Sequence, residues 1–274
     1  MELRKINDVV VNPPPLPVLL VESMKKPVNP IYDEAFPNIF IVGRKESGKT
    51  NLILNILRNI VDPKTIIVLF CSTHDTSTMW KFIKQEFASQ IAAFTSIVEH
   101  DIKTKKDINN LDAFIARMKK PKRNLEDNNY IVIFDDISDE TRNKSLKKLF
   151  KENRHYKTTT IASSQSAKDL LPGCISQLGI CLMLDGIDDD NVEHLRSHMG
   201  LWFRPKDFIR AYKVATAKKY DFLYVDRAAN KLRQNFNTQI SIPEPPKPKP
   251  LIEHAKLESI KEDQDWSDAE DESE

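Results

Sequence analysis

The chain has 274 residues, 41 Lys+Arg against 40 Asp+Glu and 40% hydrophobic residues, enough for one sizeable domain with tails and too little for a string of domains. No apolar run approaches the ~20 residues of a membrane span, and no positive–apolar–small leader pattern opens it, so neither a spanning nor an exported protein is expected. Cys71, Cys174 and Cys181 are odd in number and lack metal-ligand spacing, which argues against a disulfide framework or a zinc site and reads as buried thiols in a reducing compartment.

In chain order, Asn12-Pro13-Pro14-Pro15-Leu16-Pro17 leads into Val18-Leu19-Leu20-Val21, a polyproline stretch suited to lie over the domain or over a neighbouring subunit. Asn38-Ile39-Phe40-Ile41-Val42 is an apolar strand (38–42) running straight into Gly43-Arg44-Lys45-Glu46-Ser47-Gly48-Lys49-Thr50. A helix (49–61) follows, with Leu52, Ile53, Ile56, Leu57 and Ile60 along one stripe. Strand, G-x-x-x-x-G-K-T and helix together form a nucleotide-phosphate cradle. Gly43 and Gly48 let the backbone curl so that the N–H groups of Arg44, Lys45, Glu46 and Ser47 face phosphate oxygens. The helix N-terminus adds its unpaired donors and dipole. Lys49 brings a point charge to the β- and γ-phosphates, and the Thr50 hydroxyl ligates magnesium. ATP and Mg2+ are therefore the expected ligands.

Beyond it the pattern predicts a strand (65–70), a helix (77–91), a short strand (94–98) and a helix (108–119). Tyr130-Ile131-Val132-Ile133-Phe134 is then an unbroken apolar run ending in Asp135-Asp136, which reads as a strand (130–135) buried on both faces in a parallel sheet. Carboxylates leaving the carboxyl end of such a strand face the ligand crevice. Asp135 is the expected Walker B ligand of magnesium, and Asp136 the general base for the attacking water. A basic helix (139–152) closes at Asn153-Arg154-His155 before a strand (158–163) whose end carries Ser164 and Gln165. Gln165 has a donor and an acceptor on one amide, suiting it to sense a γ-phosphate and orient water. Arg154 is the candidate arginine finger, acting on a neighbouring subunit's nucleotide; equally, it suits a cation at a helix C-terminus. A strand (178–184), two helices (188–199 and 205–217) and a strand at 222–225 complete the body. Strands alternating with helices predict an α/β, RecA-like fold with a mainly parallel sheet and helices on both faces.

GRKESGKT, YIVIFDDIS, the arginine of ENRHYK and TTTIASSQ, in this order and spacing, resemble the genome-packaging ATPases of poxviruses and other large DNA viruses, within the FtsK–HerA superfamily. The resemblance covers about Pro37 to Asp226. It implies an ATP-driven translocase of double-stranded DNA that works as a homo-oligomeric ring, docks on capsid proteins, and is found in the virion or host cytoplasm, with a nuclear site open. Two departures stand out. Arg44, Lys45 and Glu46 make the phosphate loop bulkier than that family's usual small residues. Asp136 also stands where Glu is common, one methylene shorter.

Other readings remain. A GTPase would need Asn-Lys-x-Asp late in the chain, and a small kinase an arginine-rich lid, whereas Arg196, Arg204 and Arg210 are scattered. A helicase-like or DNA-processing ATPase, or an assembly scaffold that only binds nucleotide, stays open. The near-neutral total hides an asymmetry: from Leu251 on there are ten acidic residues against Lys256 and Lys261, leaving 39 Lys+Arg against 30 Asp+Glu before it. A basic body with an acidic tail suits a polyanion partner, with the tail either solubilising or competing with DNA. Arg117–Arg123 and Lys103–Lys106 are candidate phosphate contacts, the former also matching a nuclear-import signal. The domain reading is a Pro-rich extension over 1–36, a P-loop ATPase domain over 37–240, and a Pro-rich linker with a disordered acidic tail over 241–274.

Overall fold

A computed structural model describes residues 31–242 except 33, 102–104, 120–127, 137–139 and 141–142. The Pro-rich extension, the acidic tail, Lys120–Arg123 and Lys103–Thr104 lie outside the described residues.

The elements are β1 (Asn38–Val42), α1 (Lys49–Ile60), β2 (Thr65–Phe70), α2 (Thr78–Glu86), β3 (Ile91–Phe94), β4 (Val98–Asp101), β5 (Lys106–Asn109), α3 (Asn110–Lys119), β6 (Asn129–Asp135), α4 (Lys144–Glu152), β7 (Thr158–Ser164), α5 (Pro172–Ile175), β8 (Ile180–Leu184), α6 (Asp189–His198), α7 (Pro205–Ala215), β9 (Phe222–Asp226), β10 (Lys231–Gln234) and β11 (Thr238–Ile240). One sheet runs in the order β11-β10-β9-β8-β1-β7-β6-β2-β3. From β8 to β3 neighbouring strands are parallel, and β9, β10 and β11 extend it antiparallel.

The continuous apolar runs are explained by burial on both faces, with alternate side chains going to opposite cores. Ile39, Ile41, Ile67, Leu69, Ile131 and Ile133 pack with α1 and α2. Phe40, Val42, Val68, Phe70, Val132 and Phe134 pack with α3, α4, α6 and α7. Strand β7 lies between β1 and β6, so the two Walker strands are separated by one strand.

Several boundaries need correction. The helix expected over 77–91 ends at Glu86, because Phe87–Gln90 turn and the Gln90 side chain donates to the carbonyls of Asp62 and Thr65. The strand expected over 94–98 is two strands. β3 pairs in parallel with β2, and β4 turns away to pair antiparallel with β5. β5 takes the start of the helix expected from 108, which begins at Asn110. The helix expected from 139 begins at Lys144, where the Asn143 side chain accepts from Ser145 N at 2.8 Å. Strands β10 and β11 were not expected. They are short, with half-exposed polar residues, and their pairing rather than their composition makes them strands.

Candidate active site

β1, β6, β7 and β8 run parallel, so their carboxyl ends meet at one edge of the sheet, and there the chain places its polar residues. The phosphate loop is tied to both neighbours of β1: Gly43 N donates to Ser164 O at 3.2 Å and Arg44 N to Asp185 O at 3.4 Å. A Cβ on Gly43 would lie 2.8 Å from both Leu184 Cβ and Ser47 Oγ, so only glycine allows the loop to pass. Gly48 has φ 99°, a left-handed conformation that glycine adopts without strain, and it delivers the chain into α1. No side chain caps that helix. Its first-turn N–H donors thus keep their capacity for an anion.

The bulky middle of the loop is accommodated by turning outward. Arg44 pairs with Asp185 at 2.8 Å, and both side chains are exposed. The Arg44 stem lies where a Cβ on Gly186 would be, 2.4 Å away. Lys45 and Glu46 are exposed, and Glu46 takes a φ of 63°. The Lys45 and Glu46 side chains point to solvent, and of the loop donors expected to meet phosphate, Arg44 N is committed to Asp185 O and Ser47 N donates to Arg44 O at 3.3 Å. Lys49 Nζ donates to Gly43 O at 2.7 Å and Arg44 O at 2.9 Å. Burial holds its pKa below the ordinary lysine value, against the pull of Asp135 and Asp136.

Asp135 is buried, with Oδ2 at 3.5 Å from Thr50 Oγ1, which brings the two expected magnesium ligands together from the start of α1 and the end of β6. Two further donors hold it: the Trp80 indole N–H reaches Oδ2 at 2.6 Å, and the Ser163 hydroxyl donates to Oδ1. Burial raises the Asp135 pKa, while these two hydrogen bonds oppose the rise. Asp136 is exposed at φ 54°, and Gln165 Nε2 donates to its Oδ1 at 3.3 Å. The left-handed region is several-fold enriched in Asp among residues with a side chain. That gives Asp136 a local backbone reason to stand where the resemblance leads one to expect Glu.

Lys49, Thr50, Asp135, Asp136 and Gln165 thus converge. Arg154 does not join them. It sits in a 3-10 turn (Asn153–Tyr156) before the first residue of β7, at the opposite end of the sheet. That is roughly 20 Å from the loop by strand length. Its guanidinium is well exposed and paired with Glu34. Trp80 and Ser163 are site residues that sequence reasoning missed. Ser163 had a signal in its place one strand-residue before Ser164; Trp80 had none beyond a helical apolar period.

The described residues contain no cluster of three or more His, Cys, Asp or Glu able to hold a metal. One buried carboxylate and one hydroxyl beside a phosphate cradle suit magnesium, which is held by few protein groups together with substrate phosphates. Thr50 and Asp135 fit that role.

Residues 29–230 match the family described as the poxvirus A32 protein, and the chain belongs to that family. "Uncharacterized protein 075L" of Invertebrate iridescent virus 6 is 23% identical over 197 residues, covering 70% of each chain. Among solved structures, the genome packaging NTPase B204 from Sulfolobus turreted icosahedral virus 2 in complex with AMP aligns with a TM-score of 0.52 at 19% identity, covering 77% of this chain and 100% of that one. The DNA-packaging ATPase B204 from Sulfolobus Turreted Icosahedral Virus aligns with a TM-score of 0.51 at 20% identity, covering 76% and 98%. At such identity the likeness establishes the fold, that of a P-loop ATPase.

Proposed function

We propose that this member of the poxvirus A32 family is an ATP hydrolase that drives double-stranded DNA into a viral capsid as a ring of identical subunits. The observation that carries the reading is the assembly at one sheet edge of a phosphate cradle, a Thr50–Asp135 pair 3.5 Å apart and an Asp136–Gln165 pair 3.3 Å apart. The groups for phosphate holding, metal holding and water orientation come from the loop after β1, the start of α1 and the ends of β6 and β7. The packaging assignment is supported by the family and by B204, a packaging NTPase of the same fold.

Bound magnesium would supply charge neutralisation between phosphate oxygens. The chain's own groups do the rest. Loop and helix N–H groups orient the triphosphate, and Lys49 leaves the Gly43 and Arg44 carbonyls to meet it. Asp136 takes the proton of a water that the Gln165 amide aligns. Arg154 faces away from its own site, so its catalytic use requires a neighbour's nucleotide, and the ring reading rests on that placement.

Arg117 and Lys119 in the last turn of α3 continue in the sequence into Lys120, Lys122 and Arg123, a run of cations suited to sequence-independent phosphate contact. No helix among the described residues is long and apolar enough to cross a membrane. The virion or host cytoplasm is the proposed location.

The test is ATP hydrolysis with and without linear duplex DNA, together with displacement of a third strand from that duplex. Duplex-stimulated hydrolysis with strand displacement, both lost in Lys49→Ala, is expected. Hydrolysis that ignores duplex DNA, or none at all in the wild type, sinks the motor reading.

A further inference from the structure

At the amino end of the parallel strands, away from the phosphate loop, a cavity of about 350 Å³ is lined by Arg154 and by residues that enter β1 and β8. Its lining carries three cations, Lys151, Arg154 and Arg227, and among the described residues one carboxylate, that of Glu34. Glu34 has no part in the site described above, yet it is the group that Arg154 touches.

We propose that Glu34 is a positioning residue for the arginine finger, holding the Arg154 guanidinium at the subunit surface in the posture that meets a neighbour's γ-phosphate. This role rests on Arg154 acting on a neighbour's nucleotide, and it names the group that orders the finger before the phosphate arrives.

Three observations carry it. First, Glu34 is itself fixed. Its side chain is 19% exposed, and a Cβ on Gly179 would collide with its carboxylate, so the glycine leaves the room that the acid takes up. Two residues to either side, Tyr32 and Phe36 are buried, and Phe36 holds a φ of 53°, which a bulky residue keeps only where its surroundings dictate it. Second, the turn that carries the finger is bound to this same segment. Asn153 is buried, and its Nδ2 donates to Phe36 O at 2.7 Å, which keeps Arg154 within reach of Glu34. Third, the pair leaves the finger open. Arg154 Nη2 meets Glu34 Oε1 while the Arg154 side chain stays 63% exposed. A guanidinium has five N–H donors, so a second anion can reach it with the first still in place. Solvent screens an exposed pair, and the carboxylate therefore cancels little of the charge that a phosphate would meet. What the contact removes is rotamer freedom, which a free arginine would lose only on meeting the phosphate.

Steady-state ATP hydrolysis by the full chain with duplex DNA tests this. Glu34→Ala should lower kcat about two- to tenfold with KM for ATP unchanged, the pattern of an interaction made only in the transition state. Glu34→Gln fills the same space and keeps an acceptor oxygen. It should lose less, still fall below the wild type, and unfold at the wild-type urea midpoint. Subunit mixing separates positioning from a general effect on folding. In equal mixtures of Arg154→Ala with Asp136→Asn, the finger comes from the Asp136→Asn subunit. Adding Glu34→Ala to that subunit should slow the mixture, and adding it to the Arg154→Ala subunit should not. A rise in kcat would make Glu34 a brake on the finger and overturns the positioning role. An unchanged kcat, or an equal loss from either subunit, overturns it as well. If Arg154→Ala alone hydrolyses ATP like the wild type, or the mixture regains no hydrolysis, the finger reading itself falls and Glu34 loses its role with it.

Discussion

Asp135 and Asp136 are adjacent in sequence and opposite in environment. Asp135 is the last residue of a buried strand, held by Trp80, Ser163 and Thr50, whereas Asp136 has turned through φ 54° into solvent beside Gln165. On the proposed assignment, the carboxylate that would hold a metal is kept rigid and dry, and the one that would accept a proton is left where water reaches it. The burial of Asp135 has a consequence for stability. Its folded pKa is raised above the ~3.9 of an unfolded Asp, so in the window between the two values the folded state binds more protons than the unfolded one. Stability from this group is therefore present at low pH and lost as pH rises through the folded value. In calorimetry without nucleotide, the melting temperature of the wild type minus that of Asp135→Asn should fall with rising pH across this window. A difference that stays flat or climbs would contradict the burial argument.

At the scale of elements, the strand between the Walker strands organises both ends of the sheet. The carboxyl end of β7 supplies Ser163 to Asp135 and, just beyond it, Gln165 to Asp136. Its amino end is tied down by Asn153, a buried residue whose Nδ2 donates to Phe36 O at 2.7 Å and Thr158 O at 3.0 Å. One amide thus joins the 3-10 turn, the start of β7 and the segment entering β1, and it sits beside Arg154. Asn153→Ala leaves two carbonyls short of a partner and should cost about 1–3 kcal/mol in urea unfolding. A loss below about 0.5 kcal/mol, the range of surface substitutions, would show that this tie is not structural.

The whole molecule has its phosphate loop at one end of the parallel strands and Arg154 at the other. If Arg154 acts as the proposed finger, a single subunit cannot close that gap, whereas a head-to-tail neighbour can, because heterologous contacts generate rings. On the proposed assignment, Arg154→Ala would lack the finger but keep its own base, and Asp136→Asn would lack the base but keep its finger. Mixed in equal amounts they should regain part of the hydrolysis that each lacks alone. Mixed rings that form, as seen by light scattering, and yet stay inactive would argue against a shared site. On the proposed function, contacts between the basic body and duplex DNA should weaken with salt.

What was legible in the sequence follows from local chemistry. Gly43–Thr50 needs glycine at two points and a lysine and threonine at the helix start, β1, β2 and β6 announce themselves as apolar runs, and β7 as a threonine-rich β-branched one. Asp135, Asp136 and Gln165 were readable because they leave the carboxyl ends of such strands. Trp80 was not. It lies 55 residues before Asp135, and its helical apolar spacing is the same whether the indole N–H meets a carboxylate or nothing. Strands β10 and β11 were hidden for a related reason, as short polar segments become strands only when a neighbour pairs with them. The sequence by itself therefore determined the nucleotide cradle, the order of the parallel strands' chemistry and the family. Only the tertiary structure decided that β7 separates the Walker strands, that Arg44 folds outward onto Asp185, and that Arg154 faces away from its own site. Motif chemistry is written in neighbouring residues, whereas these three arrangements depend on pairings between strands and loops far apart in the chain.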